Sequence, residues 1–141
     1  MADYQGKFLP RPGPETESWW EHCRAHRLML QRCSGCGQHQ FYPRVVCASC
    51  GGGQLEWQPS AGQGSVQTYT ICRLPVAEAY AADVPYVVAL VRLDEGPVMM
   101  CNVIGCDPDS VAVGMPVEVV FEDRTDEISM PQFRPRQAGD A

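Results

Sequence analysis

No stretch of this chain is long and apolar enough to span a bilayer. The longest apolar run, Tyr86 to Val91, is strand-sized. The opening "MADYQGKFLPRPGPETE" holds no apolar core of the kind a secretory signal needs. These two absences make a soluble cytoplasmic protein the expectation. Histidine stops at His39. A Ser/His/Asp set therefore has no base to draw on in the later part of the chain. No glycine loop of the phosphate-cradling kind is present, since "CGGGQ" merely follows a cysteine pair. A dense basic patch is also missing. Residues 1–60 carry six Lys and Arg against five Asp and Glu, and residues 61–141 carry five against twelve. The acidic second half is a poor partner for a phosphate backbone.

What is present is cysteine. Eight occur in 141 residues, and four of them stand in "CSGCGQHQFYPRVVCASCGG" as two CxxC pairs: Cys33, Cys36, Cys47 and Cys50. In a reducing compartment clustered thiols point to a metal rather than to disulfides. Zinc takes four thiolates in a tetrahedron, and each CxxC turn supplies two. Gly37 and Gly51 follow the second cysteine of each pair, where the turn calls for a positive φ. Backbone N–H groups of such a turn aim at the sulfurs and support the metal. Four thiolates around one zinc leave a charge of about −2, which the flanking Arg32 and Arg44 can offset. Iron in a rubredoxin-like site is the other metal such a set binds. A shell of four cysteines has no open position for water, so the expected zinc is structural rather than catalytic.

Around this cluster, "ETESWWEHCRAHRLML" reads as a helix with acidic residues in its first turn. "GGGQLEWQPSAGQG" reads as a link into the second half. There, "SVQTYTICRL", "PYVVALVRLDEG", "PVMMCNVIG" and "PVEVVFED" read as strands, and "DPDSVAVGM" as a loop with a short helical turn. In the last strand Val117, Val119 and Phe121 share one face, and Glu118 and Glu122 the other. "ISMPQFRPR" is a further extended segment whose prolines limit pairing. Five short strands with glycine-rich turns fit a small OB-fold barrel. The expected fold is mainly β: an N-terminal helix, a zinc ribbon and a five-stranded OB-fold barrel. The expected divisions are residues 1–31 for the extended segment and helix, 32–60 for the ribbon, 61–127 for the barrel and 128–141 for a C-terminal tail.

Other candidates carry less chemistry. His22 and His26 lie four apart, but Cys23 stands where a zinc protease needs glutamate. His39 competes with four thiolates and reads as a loop residue. Cys72, Cys101 and Cys106 fall in or beside strands, where cysteine acts as a small hydrophobe. The acidic pairs Asp94–Glu95 and Glu122–Asp123 sit at strand ends as solvated turns. Trp19 and Trp20 are either core or a surface for a partner or an apolar chain. Phe133, in a Pro-rich tail, is expected to dock on a partner.

The combination resembles a family of acyl-CoA-associated proteins with an N-terminal helix, a rubredoxin-like zinc ribbon and a C-terminal OB-fold. The resemblance rests on "SWWEHCRAHRLMLQRCSGCGQHQFYPR", "CASCGGGQLEWQPSAGQGSVQTYT", "PYVVALVRLDEG", "VGMPVEVVFED" and "MPQFRP". It implies a non-catalytic accessory subunit of a thiolase or a thiolase-like aldolase, with one structural zinc. Members accompany aromatic acyl-CoA thiolases, steroid side-chain aldolases and more general thiolases. The thiolase-like catalytic subunit carries the nucleophile, and acyl-CoA lies at or near the interface. Trp19, Trp20, Arg24, Arg27, Arg44, Phe133 and Arg134 are the expected contacts to acyl-CoA or to the partner. The competing expectation is an OB-fold protein that binds single-stranded nucleic acid, which needs a basic groove with stacking aromatics.

Overall fold

Residues 6–137 are described by a computed structural model. One helix, α1 (Glu17–Arg24), opens the ordered architecture. The ribbon sheet follows, made of β1 (Met29–Cys33), β2 (His39–Gln40) and β3 (Leu55–Pro59), in the order β2-β1-β3. The second half holds β4 (Gln63–Cys72), β5 (Tyr86–Leu93), β6 (Val98–Val103), β7 (Pro116–Asp123) and β8 (Ser129–Pro135). These five close into a barrel in the order β4-β5-β6-β8-β7. A short helical turn, Pro108–Ser110, precedes β7 as the sequence suggests.

Three segments depart from the sequence reading: the helix, the link and the C-terminal tail, whose residues Ser129–Pro135 form a barrel strand. The helix was expected to run through Leu30, but it stops at Arg24 and Met29 already belongs to a strand. The cause is His26, which takes a left-handed conformation at φ 57°. Its N–H bonds back to the Cys23 carbonyl at 2.8 Å, and that of Arg27 to His22 at 2.9 Å, which ends the helix. Glycine usually fills such a position. Here tertiary contacts hold a histidine in it: the ring stacks on Phe121 at 5.2 Å, and Nε2 meets Asp123 Oδ1 at 2.6 Å. The stretch "GGGQLEWQPSAGQG" is likewise more than a link. Leu55–Pro59 pairs antiparallel with all of β1, from Met29↔Pro59 to Cys33↔Leu55.

The C-terminal segment closes the barrel. β8 pairs with β7 over its whole length, from Val117↔Pro135 to Asp123↔Ser129. Its other edge meets β6 in parallel at Val103↔Phe133. Prolines at 131 and 135 leave that edge short of N–H donors. Side-chain amides extend the seam instead. Asn102 donates its backbone N–H to Gln132 Oε1 at 2.8 Å, and Gln132 Nε2 donates to Asn102 Oδ1 at 3.2 Å. Phe133, expected to reach for a partner, is therefore fully buried in the barrel core. Strand pairing on both sides turns its ring inward.

At the opposite seam β4 pairs with β5 and also with β7, and a bulge between Val66 and Thr68 bends it to do so. Gly64 lies at this crossing. A Cβ there would stand 2.4 Å from the Arg92 carbonyl oxygen, so only glycine allows the approach.

One core runs through both halves. Trp19, Cys23, Leu28 and Leu30 join Val66, Val91, Met99, Val117 and Phe133 in a single buried cluster. The helix thus serves as the joint between ribbon and barrel. Trp19 is 6 % exposed, donates its indole N–H to the Met29 carbonyl at 3.1 Å, and meets Trp20 and Phe41 edge-on. Of the two readings given to Trp19, the core one holds. One edge of the ring still reaches a surface hollow.

Candidate metal centre and the surface beside it

β1 ends at Cys33, and the turn after it returns through Cys36 to β2. The second turn, Cys47 to Gly51, repeats the form. Gly37 N–H bonds to the Cys33 carbonyl at 2.7 Å and Gly51 N–H to the Cys47 carbonyl at 2.9 Å. Both glycines have the positive φ expected of them, 77° and 75°. The two turns face each other, and all four Sγ atoms lie within 4.8 Å of one another. The Cys33–Cys50 and Cys36–Cys47 sulfurs are 3.7 and 3.6 Å apart. A tetrahedron of sulfurs at a Zn–S distance of about 2.3 Å has edges of about 3.8 Å. The set fits one structural zinc, with no ligand position left open.

The sulfurs are already polarised by the backbone. Cys47 Sγ accepts N–H groups from Ser49 at 3.3 Å and Cys50 at 3.5 Å. Led by the Cys50 N–H, these bring its thiol down to about 6. Cys36 receives a lowering hydrogen bond from the Gln38 backbone, but partial desolvation and the neighbouring thiols of Cys47, Cys50 and Cys33 outweigh it and bring the thiol up to about 11. Without a cation, four such groups in one place resist ionising together. A divalent metal removes that conflict.

The ribbon loop between the turns is held by one buried amide. Gln31 Oε1 accepts from the Arg44 N–H at 2.9 Å and from Gln40 Nε2 at 2.7 Å, while its Nε2 donates to the Arg44 carbonyl at 3.0 Å. This leaves the Arg44 side chain exposed, next to exposed Tyr42, Val45 and Val46.

The remaining sequence candidates separate. Arg24 and Arg27 are exposed near the end of α1. Arg134 points outward and pairs with Glu118 at 3.1 Å. Burial pushes the Cys23 and Cys101 thiols up to about 12, which makes them packing residues rather than nucleophiles. Among the described residues, no helix is long and apolar enough to cross a membrane.

Trp20 is half-buried and separates two depressions. On one side is an apolar hollow of about 250 Å³, walled by Trp19, Phe41, Met99, Met100 and Met130. On the other is a groove of about 660 Å³, lined by Glu17, Glu21, Arg24, Asp126 and Glu127. Sequence reasoning reached Trp20 but neither depression. Their walls come from segments far apart in the chain, and no local pattern joins them.

A helix packed on a closed four-cysteine ribbon and followed by a five-stranded barrel defines the class: a zinc-ribbon OB-fold protein. Residues 20–56 match the family described as the ChsH2 rubredoxin-like zinc ribbon domain, and residues 57–122 the ChsH2 C-terminal OB-fold domain. A DUF35 domain-containing scaffold protein of Methanothermobacter thermautotrophicus is 36% identical over 76% of this chain and 81% of its own length. The chain belongs to this ChsH2/DUF35 family. It is 35% identical, over 89% of its length, to a probable enoyl-CoA hydratase alpha subunit of Thermomonospora curvata, but spans only 40% of that longer protein. Among solved structures it is similar to a chain of the Ltp2-ChsH2(DUF35) aldolase, with a TM-score of 0.81, 34% identity, and 90% of this chain and 98% of that chain covered.

Proposed function

We propose that this chain is a non-catalytic accessory subunit of a thiolase-like enzyme complex acting on acyl-CoA. The partner makes or breaks the C–C bond as a thiolase or a retro-aldolase. This chain helps assembly and acyl-CoA binding. The observation that carries the reading is the pairing of a closed zinc shell with a near full-length match to the DUF35 chain of an aldolase. The probable enoyl-CoA hydratase subunit it resembles adds a CoA-thioester enzyme to its relatives. Trp20, Arg24, Arg27, Arg44 and Arg134 are the candidates for contact with partner or acyl-CoA. Phe133 is not, because it lies in the core, and Trp19 meets the surface only at the wall of the apolar hollow. The acidic barrel weighs against single-stranded nucleic acid as the ligand.

The test is an affinity pull-down of the tagged chain from its native cells, with mass spectrometry and an acyl-CoA turnover assay on the product. A stoichiometric thiolase or aldolase is the expected partner. A chain that comes down alone, or turns over acyl-CoA unaided, would overturn the reading. Serine at Cys33 or Cys50 is expected to abolish zinc binding and complex formation together.

A further inference from the structure

The cleft divided by Trp20 has a composition that selects its occupant. The hollow is apolar and walled in part by three methionines, Met99, Met100 and Met130, whose flexible side chains adapt to an incoming group. Met100 is 62% exposed at its mouth. In the adjoining groove four carboxylates face one guanidinium. Glu17, Trp20, Glu21 and Arg24 fall at helical spacing on one face of α1, so the acidic wall is built into the helix. Among the described residues, none of Glu17, Glu21, Asp126 and Glu127 forms an ion pair.

Resting on the reading above, we propose that this cleft docks a segment of the catalytic partner that places an apolar side chain in the hollow and an arginine or lysine in the groove. Charge complementarity favours a cationic peptide. The same charges repel the phosphates of CoA, so the cleft takes the protein and leaves the thioester to another face. A second copy of this chain fits poorly. Its net charge of −6 repels a like chain as a whole. In an extended segment, residues two apart lie on one side about 7 Å from each other. Such a pair can straddle a single indole, whose face also attracts a cation.

The experiment measures affinity between the full chain and its co-purified catalytic partner. Glu17→Gln, Glu21→Gln, Asp126→Asn and Glu127→Gln, all exposed changes, should each weaken binding by up to about 5-fold at low salt, and less at high salt. Met100→Asp should weaken it by about 10-fold or more at either salt concentration. A complex of unchanged affinity in the four-amide variant and in Met100→Asp sinks the cleft while leaving the accessory-subunit reading intact. If no partner co-purifies, that reading fails, and the cleft is tested separately by peptide display on the isolated chain. Enrichment of peptides with an apolar residue and a basic one, lost on the four-amide variant, supports it. No enrichment, or enrichment indifferent to the carboxylates, overturns it. So does a shift of the Trp20 indole NMR signal on adding a long-chain acyl-CoA, if the four-amide variant strengthens that binding.

Discussion

The ribbon and the barrel solve the same problem by different means. The barrel closes on itself, so every strand has two neighbours and its core is wholly buried: Val66, Val87, Val91, Leu93, Met99, Val117 and Phe133 are all nearly inaccessible. The ribbon has three short strands, and the loop at its tip leaves Tyr42, Val45 and Val46 in solvent. Its buried residues are few, and two of them, Cys33 and Cys47, belong to the metal set. One region is held by apolar burial, the other by coordination. A segment with so little core needs such a staple.

The sharpest way to break the comparison is to remove the metal. Cys50→Ser, or a strong chelator, should unfold the ribbon and leave the barrel standing. Structural zinc contributes on the order of 10 kcal/mol in small sites, far more than the ribbon's packing. Hydrogen exchange read region by region, alongside zinc content, checks this. Equal loss of protection in both halves would mean that the shared core around Trp19 makes them one cooperative unit.

The converse change strikes the barrel. Phe133→Ala should cost about 3–5 kcal/mol in urea unfolding, with zinc content unchanged. A loss under about 1 kcal/mol would deny β8 its place in the core. Gly64→Ala is expected to cost less, about 1–3 kcal/mol. The added methyl meets the Arg92 carbonyl, a backbone atom that cannot swing aside.

The smallest effect is on the latch between the two regions. Asp123 accepts hydrogen bonds from Ser129 Oγ and from His26, and these hold its carboxyl below the usual carboxylate range. A carboxylate lowered on folding stabilises the native state fully above its unfolded value, and that contribution fades as pH falls through the folded value. Acid should therefore loosen the junction of α1 with β7. Ser129→Ala should move the Asp123 carbon resonance midpoint upward in an NMR titration. An unmoved midpoint would assign the lowering to something other than Ser129.

Legibility in the sequence follows locality. The four cysteines were readable because ligands and turn glycines lie within a few residues of each other. β7 was readable because Val117, Val119 and Phe121 alternate with Glu118 and Glu122. The end of the helix was not, since a histidine held by Phe121 and Asp123 takes the role that glycine usually announces. Phe133 was misjudged because its neighbouring prolines look like a loose tail. They are tolerated because β7 pairs with one edge and Gln132 supplies amide bonds at the other. The apolar hollow gathers walls from helix, ribbon loop, β6 and β8, and no window of sequence contains it.

The place of β8 between β6 and β7 also bears on how the chain is made. Synthesis runs from the N-terminus, and leading units fold first. The ribbon has all its ligands once residue 50 has left the ribosome and all its strands once residue 59 has. The barrel lacks its keystone until residue 135 emerges. A nascent chain of this protein can hold its metal while β6 and β7 still wait with open edges, and it is in that interval that it is most exposed to mispairing.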